Sequence, residues 1–246
     1  MMLEPTLTKL HRMKLSGMIE ALTEQNQSSL YSGLSFEERL GLIIDREMTA
    51  RENRRLAKLL KGARLRHSHA CPEEIDFRAP RGLSRKVILS LMQNGWINEK
   101  QNVIITGPTG SGKTFIACAL ANSACRSGFS AYYIRLPRLL RELNIAQGDG
   151  SYGKLLSRLA RYALLIIDDW VLAKLNDKER RDILEVLEDR HGITSTIVSS
   201  QIPTEKWHDT IGDPTIADAV LDRVIHNAHI ITMKGESMRK LLLKNK

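Results

Sequence analysis

Residues 107–114 decide the fold of this chain, and they read Gly107-Pro108-Thr109-Gly110-Ser111-Gly112-Lys113-Thr114. This octapeptide follows the apolar run Val103-Ile104-Ile105 and precedes a stretch that favours a helix. In such a loop glycines let backbone N–H groups surround phosphate oxygens, Lys113 offers them an ammonium group, and the Thr114 hydroxyl can hold Mg²⁺. The octapeptide is a complete P-loop, and we expect all eight residues to bind ATP, with Mg²⁺ as the second cofactor.

The composition limits the class of protein. The chain has 246 residues, of which 42% are hydrophobic, so it can form one or two ordinary globular domains. No apolar run approaches the roughly 20 residues that span a bilayer, and residues 1–15 lack the apolar region of a signal peptide. We therefore expect a soluble, cytoplasmic protein with no membrane partner. Cys71, Cys118 and Cys125 form no C-x-x-C pair, so neither a disulfide framework nor a zinc site is predicted.

The charge of the chain favours an anionic partner. Lys and Arg total 37 against 28 Asp and Glu, which gives a net charge of +9 at pH 7. Basic surfaces bind polyanions because counterions are released, so nucleic acid is a candidate partner. An excess of positive charge on the surface that only improves solubility explains the same net charge equally well.

Helical patterns fill the first part of the chain. Between residues 6 and 24 the apolar positions fall on one face of a single amphipathic helix. A capping-box spacing at Ser35-Phe36-Glu37-Glu38 predicts a second helix that runs to about Ala63, and the Pro and Gly of residues 67–82 interrupt this pattern. We predict a helical N-terminal domain at 1–70 for contacts with DNA, other subunits or a partner, a linker at 71–82, and a second domain at 83–246.

Short apolar runs alternate with helix-like segments in the second domain. The predicted strands are Val103–Thr106, Ala131–Ile134, Leu164–Ile167, Thr196–Ser199 and Ile230–Met233. This alternation is typical of an α/β fold with a parallel sheet sandwiched by helices.

Two carboxylates, Asp168 and Asp169, follow the third of these strands in the Walker B pattern. We expect Asp168 to coordinate Mg²⁺ through water or through Thr114. Asp169 then stands where a second carboxylate can orient or deprotonate an attacking water. The pair therefore predicts Mg²⁺-dependent hydrolysis of ATP.

With these motifs the chain resembles the AAA+ ATPases. Their Walker B motif typically ends Asp-Glu, whereas Asp169 is one methylene shorter than Glu, which affects the expected turnover more than the binding. In such proteins a polar residue at the end of the next strand senses the γ-phosphate. Ser200 and Gln201 both match that position, and the sequence does not choose between them.

The resemblance also implies roles for two arginines near the end of the chain. Arg223 lies where these proteins carry an arginine finger that reaches the nucleotide of a neighbouring subunit. Arg239 resembles the sensor-2 arginine, which contacts phosphate from within its own subunit. A guanidinium suits both roles because it is permanently charged and planar.

Longer motifs carry a more specific resemblance. They read Leu10-His11-Arg12-Met13-Lys14-Leu15-Ser16-Gly17-Met18, Ile166-Ile167-Asp168-Asp169-Trp170, Ser199-Ser200-Gln201-Ile202-Pro203, Lys206-Trp207-His208, Ile211-Gly212-Asp213-Pro214 and Lys234-Gly235-Glu236-Ser237-Met238-Arg239. Together they closely resemble the IstB family, the ATP-binding helper proteins of bacterial insertion sequences, over nearly the whole chain. The P-loop and Walker B motif occur in many ATPases, so the C-terminal motifs discriminate between families.

This family resemblance implies an ATP-hydrolysing protein that forms homo-oligomers on double-stranded DNA when ATP is bound and then recruits or stimulates a cognate transposase. Two basic clusters are the candidate duplex contacts: Arg135, Arg138 and Arg141 follow one strand, and Lys154 and Arg158 follow a glycine-containing turn. Solvated helix faces explain the same clusters.

Three other functions share parts of this pattern. A helicase loader similar to DnaC would bind single-stranded DNA, although only 5% of the residues are aromatic and single-strand grooves usually offer aromatic rings. A P-loop kinase for a small molecule would need an arginine-bearing lid, and no segment matches one. A structural adaptor with a degenerate nucleotide site is disfavoured by the intact Lys113, Thr114 and Asp168.

Overall fold

A computed structural model describes residues 3–235, 237 and 238 of the chain. Contacts within the chain divide it into two compact units, Met1–Lys58 and Leu59–Lys246. The first unit is helical and the second contains the sheet. No helix among the described residues is both long enough and apolar enough to cross a membrane.

The secondary structure alternates as the sequence predicts. The helices are α1 (Leu3–Arg12), α2 (Ser16–Gln27), α3 (Phe36–Ala63), α4 (Arg85–Met92), α5 (Gly95–Asn98), α6 (Lys113–Arg126), α7 (Leu136–Gly148), α8 (Tyr152–Ala160), α9 (Asp177–Glu188), α10 (Trp207–Ile211) and α11 (Pro214–Ile225). The strands are β1 (Asn102–Thr106), β2 (Ala131–Arg135), β3 (Leu164–Asp168), β4 (Ser195–Ser200) and β5 (Ala228–Thr232). Short 3₁₀ helices occupy Ser29–Tyr31, Pro72–Glu74 and Thr204–Lys206.

The single helix predicted between residues 6 and 24 is wrong, because the structure divides it into α1 and α2. Lys14 has a φ of 58°, which is left-handed backbone and ends α1. Leu15 donates its backbone N–H to the Leu10 carbonyl over 3.0 Å and so closes the end of the helix. The apolar periodicity continues across this break, and the pattern therefore did not reveal it.

The start of α2 lies against a carboxylate from α3. The backbone N–H groups of Gly17 and Met18 donate to Glu47 Oε2 over 2.7 and 3.3 Å. Arg51 and Arg54 donate to Glu47 Oε1 over 2.8 and 3.1 Å. This buried carboxylate satisfies N–H groups that a helix N-terminus leaves without partners, and it joins α2 to α3.

The capping box predicted for the next helix is confirmed. Ser35 donates its backbone N–H to Glu38 Oε2 over 2.7 Å, and the Glu38 N–H donates to Ser35 Oγ over 3.2 Å. The helix that follows, α3, ends at Ala63, as the sequence predicts. Its length of 28 residues is well above the average of about 12 for a globular protein.

The contact division falls inside α3, earlier than the linker that the sequence suggests at 71–82. Residues of that segment pack within the second unit: Glu73 forms an ion pair with Arg126 of α6 over 2.6 Å. Arg64, just past the end of α3, lies over the Tyr132 ring, with 5.8 Å between its guanidinium carbon and the ring centroid. We therefore describe residues 59–82 together with the sheet.

The sheet is fully parallel with strand order β2-β3-β4-β1-β5. This confirms the predicted α/β fold with a parallel sheet between helices. The last strand differs from the prediction: it begins at Ala228 rather than Ile230 and ends at Thr232. Because all strands run in one direction, the carboxyl ends of β1, β3 and β4 lie along one edge, and Thr106 pairs with Ser200 there.

Helices cover both faces of the sheet. On one face, Ile104, Leu165 and Val198 join a buried cluster with side chains of α7, α8, α9, α10 and α11. The same cluster includes Trp170 and Trp207, whose ring centroids are 5.7 Å apart. On the other face α6, which follows the P-loop, packs against β1, β2, β3 and β4. This arrangement fixes the P-loop at the carboxyl edge of the sheet.

Candidate nucleotide site

The P-loop connects β1 to α6 at the carboxyl edge of the sheet, as predicted. Gly107 has a φ of +148°, and a Cβ at this position would lie 2.5 Å from the Met233 carbonyl oxygen. The Met233 N–H in turn donates to the Thr106 carbonyl over 2.7 Å. The loop therefore needs glycine at its first position because the chain after β5 runs directly beside it.

Lys113 is the first residue of α6 and lies close to the loop backbone. Its Nζ donates to the Gly107 carbonyl over 2.7 Å and to the Pro108 carbonyl over 2.9 Å. Burial lowers the pKa of Lys113, while the carboxylates of Asp168 and Asp169 oppose that shift. The ammonium group is thus held inside the loop, where phosphate oxygens can replace the two carbonyls.

Asp168, at the end of β3, is the central acceptor of the site. Thr114 donates its hydroxyl to Asp168 Oδ2 over 2.9 Å, and Tyr133 donates its hydroxyl to the same oxygen over 2.7 Å. Burial, reinforced by the nearby Asp168, raises the pKa of Tyr133, so its hydroxyl remains a donor. Only 1% of Asp168 is exposed. A hydroxyl and a carboxylate oxygen at this distance fit Mg²⁺, which typically takes one or two protein ligands beside phosphate oxygens.

Asp169 follows Asp168 on an unusual backbone. Its φ is 56°, a left-handed conformation that is uncommon for residues other than glycine. Its carboxylate accepts a charge-assisted hydrogen bond from Arg135 Nε, and this contact raises the pKa of Arg135. Arg135, one of the predicted duplex contacts, therefore lies beside the Walker B acids at the end of β2.

The two candidate sensors have different surroundings. Ser200 is buried, donates its hydroxyl to the Trp170 carbonyl over 3.0 Å and accepts the Ile202 N–H over 3.1 Å. Gln201 is exposed and accepts a hydrogen bond from the Thr109 hydroxyl of the P-loop. Ser200 thus shapes the loop after β3, whereas Gln201 lies against the P-loop and is the better placed of the two to contact phosphate.

Arg223 lies near the end of α11, at the opposite edge of the sheet. Its carbonyl accepts the Asn102 side-chain amide over 3.0 Å, and Asn102 is the first residue of β1. The P-loop begins after Thr106, the last residue of β1. At 3.3 Å per residue, Thr106 lies about 13 Å along the strand from Asn102. Arg223 donates to Glu188 and lies 3.6 Å from an Asp222 carboxylate oxygen. Arg223 therefore lies near the strand ends opposite to the P-loop of its own chain.

The predicted sensor-2 residue, Arg239, lies outside the described residues. The chain just before it contacts the P-loop, since the Met238 N–H donates to the Gly110 carbonyl over 2.9 Å. A Cβ at Gly110 would lie 2.2 Å from Ser237 Oγ, so the loop and this segment are in close contact.

The remaining predicted duplex contacts lie on α7 and α8. Arg138 and Arg158 both approach Glu142, at 3.0 and 3.5 Å, so the two basic clusters meet at this carboxylate. Arg141 and Lys154 are exposed. Arg138, Lys154 and Arg158 therefore lie around Glu142 on one surface of the two helices, whereas Arg135 lies in the nucleotide site beside Asp169.

A cavity of about 530 Å³ unites the site, and we call it the nucleotide cavity. The P-loop, the Walker B acids, Ser199 and Gln201 line it. Another part of the lining, which the sequence does not predict, consists of Arg66, His67, Glu74, Asp76 and Arg81. These residues come from the segment before the second predicted domain. No motif marks them, and only the packing of residues 66–81 against α6 and the P-loop brings them into the wall.

A parallel sheet of this strand order, with a P-loop after β1 and two carboxylates at the end of β3, defines a nucleotide-binding protein of the AAA+ fold. The crystal structure of the DnaC helicase loader aligns with a TM-score of 0.52 and 19% identity, covering 61% of this chain and 87% of that chain. The crystal structure of DnaI aligns with a TM-score of 0.57 and 17% identity, covering 72% and 93%. At such identities these alignments show the fold alone.

The chain belongs to the family of IstB-like ATP binding proteins, whose pattern matches residues 8–246. The insertion sequence ATP-binding protein y4pL of Sinorhizobium fredii is 48% identical over 240 residues, which are 98% of each chain. The corresponding protein of insertion sequence IS21 from Pseudomonas aeruginosa is 31% identical over 96% of this chain and 88% of its own length. The family resemblance predicted from the sequence is confirmed.

Proposed function

We propose that this protein hydrolyses ATP, assembles on duplex DNA in its ATP-bound form, and recruits or stimulates the transposase of an insertion sequence. The observation that carries the proposal is the arrangement of Lys113, Thr114, Asp168 and Asp169 around one cavity. Membership of a family named for ATP binding, with relatives named for insertion sequences, supports the transposition context.

In the proposed reaction the P-loop binds the phosphates. Its backbone N–H groups and Lys113 neutralise their charge, and Lys113 exchanges its two carbonyl acceptors for phosphate oxygens. Thr114 and Asp168 would hold Mg²⁺, which would supply positive charge to the leaving phosphate oxygens. Asp169 orients the attacking water and accepts its proton. For that role its carboxylate must turn from Arg135 toward the water.

Assembly follows from the position of Arg223 in the proposed mechanism. Since Arg223 lies at the edge of the sheet away from its own P-loop, it acts on the nucleotide of a neighbouring copy. Hydrolysis then depends on oligomers. ATP stabilises them because its negatively charged phosphates attract the Arg223 guanidinium of the neighbouring copy. Gln201 reports the state of the phosphates to its own subunit through its contact with Thr109.

DNA binding follows from charge in this proposal. The chain carries a net charge of +9, and exposed basic residues of α7 and α8 lie on one surface. An oligomer presents this surface many times, so phosphate contacts multiply with each added copy. We expect recognition of the phosphate backbone and duplex shape rather than of base edges.

The proposal is tested by binding to matched double-stranded and single-stranded DNA with ATP, ADP or no nucleotide, at two salt concentrations, while particle size is followed. ATP-dependent, salt-sensitive assembly on the duplex supports the proposed function. A preference for single strands would instead favour a helicase loader. Failure to bind either DNA with ATP would contradict the DNA role and leave a nucleotide-binding protein of another function.

A further inference from the structure

Arg81 is a buried cation in the wall of the nucleotide cavity. It comes from the segment at 71–82 that the sequence describes as a linker, and only 5% of the residue is exposed. One terminal nitrogen donates to the Asp76 carbonyl over 2.7 Å, and the other donates to the Ser111 carbonyl of the P-loop over 3.2 Å. Both acceptors are uncharged backbone oxygens. The guanidinium therefore bridges the segment and the P-loop, and neither hydrogen bond supplies a negative charge to neutralise it.

The hydrogen-bond capacity of Arg81 is also incomplete. Its Nε–H is buried and has no acceptor among the described residues. Arg190 offers a comparison, since it is 1% exposed and lies outside the cavity lining. There Nε donates to Thr196 Oγ1 over 3.1 Å, and the terminal nitrogens donate to the carbonyls of Leu159, Tyr162 and Ser195. Packing thus satisfies all three nitrogens of Arg190, whereas Arg81 retains a buried donor for which the described part of the chain provides no acceptor.

The P-loop backbone fits closely around this guanidinium. Gly112 has a φ of +97°, and a Cβ there would lie 2.6 Å from a terminal nitrogen of Arg81. Gly112 directly precedes Lys113 and the first turn of α6, where free backbone N–H groups attract anions. Arg81 therefore lies directly beside the residue at which this anion-attracting turn begins.

Electrostatics indicate what this buried charge is suited to bind. Burial lowers the pKa of Arg81 because the charged form loses its water, and the attraction of Asp76 opposes that shift. A guanidinium nevertheless keeps its proton in proteins. A positive charge in a cavity wall from which most water is excluded interacts strongly with a polyanion, and a guanidinium matches the geometry of phosphate oxygens.

We propose that Arg81 binds the phosphates of the nucleotide from within the same chain and positions the P-loop for them through Ser111. This inference rests on the nucleotide role proposed above and adds a cation that no motif indicates. Lys113 approaches the phosphates from the P-loop itself, whereas Arg81 approaches from the segment before the sheet. Residues 76–81 are then part of the binding site rather than a passive connection.

The test is isothermal titration calorimetry of the full chain with ATP, ADP and AMP. Arg81→Gln removes the charge, Arg81→Lys keeps the charge but loses the planar fork, and Arg78→Gln is the matched control, because its side chain is 95% exposed in the same segment. We expect Arg81→Gln to weaken the binding of ATP about tenfold or more, because a hydrogen bond to a charged group usually contributes at least that much. The binding of ADP should weaken by a similar factor and the binding of AMP by less. The Arg78→Gln protein should bind all three nucleotides as tightly as the parent chain.

Two results would overturn the inference. One is an Arg81→Gln protein that binds ATP as tightly as the parent chain. The other is an equal loss for ATP, ADP and AMP together with a lower unfolding temperature without nucleotide, which would make Arg81 only structural. If Arg81→Gln does not fold, Arg81→Lys decides, since it should fold and bind ATP more weakly than the parent while AMP changes little. A parent chain that binds no ATP would instead contradict the proposed function.

Discussion

The ion pair between Arg223 and Glu188 yields a quantitative prediction about assembly. In the single chain Arg223 donates its Nε to Glu188, and a further nitrogen lies 3.6 Å from the Asp222 carboxylate. If Arg223 acts on a neighbouring subunit, the contact with Glu188 must open first. Glu188→Gln removes the charge while keeping the length of the side chain, so it should make Arg223 easier to release and promote ATP-dependent assembly.

The size of this effect follows from exposure. The Arg223 side chain is 26% exposed and that of Glu188 is 54% exposed, so solvent screens the pair. Exposed ion pairs of this kind change an equilibrium by about 1.4- to 5-fold. We therefore expect the protein concentration at half-assembly to fall by about that factor. The contact lowers the pKa of Glu188, so the carboxylate stays ionised and the pair stays intact at neutral pH.

The assay is sedimentation or light scattering of the chain over a concentration series with ATP and a fixed duplex. Asp189→Asn is the matched control, since it removes the same charge one residue away and Asp189 is exposed. Arg223→Ala should retain ATP binding but lose assembly and hydrolysis. Adding Glu188→Gln to Arg223→Ala should change nothing further, because the two substitutions act through one contact. Weaker assembly of Glu188→Gln than of Asp189→Asn would contradict this prediction and show that Glu188 positions Arg223.

Three further predictions concern the P-loop and the helical unit. Lys113→Ala should abolish measurable ATP binding in calorimetry, and retained binding would exclude its role. Gly107→Ala should destabilise the chain by about 1–3 kcal/mol in denaturant unfolding, because its backbone conformation is nearly exclusive to glycine; Gly153→Ala, with open space around it, should not. Burial alone would raise the pKa of Glu47, but its hydrogen bonds lower that pKa below the ordinary 4.5. The ionised carboxylate therefore adds to the free energy of unfolding above pH 4.5, and this stabilisation is lost as the pH falls through the lowered pKa. The unfolding temperature of the parent chain should therefore fall more steeply in acid than that of Glu47→Gln, and parallel curves would contradict this.

Local signals account for what the sequence predicts well. The P-loop, the Walker B acids and the strands are short patterns whose meaning depends on neighbouring residues, and the parallel sheet then brings their ends together. Capping at Ser35 is equally local, because the two reciprocal hydrogen bonds span three residues.

Tertiary contacts account for what the sequence does not predict. After the break at Lys14, the start of α2 lies against Glu47, which is 30 residues from Gly17. The inclusion of Arg81 in the cavity depends on the close packing of one segment around Gly112. The contact between Arg135 and Asp169 joins the ends of two strands that only the sheet register places together. None of these relations leaves a periodic or motif signal in the chain.

ATP-dependent assembly on duplex DNA can be followed through the mass of the particles that form. The mass of the particles formed on a fixed duplex is determined by analytical ultracentrifugation with ATP and with ADP, for the parent chain and for Lys113→Ala. We expect large, salt-sensitive particles only for the parent chain with ATP. Particles of equal mass with ATP and ADP, or with Lys113→Ala and ATP, would contradict it.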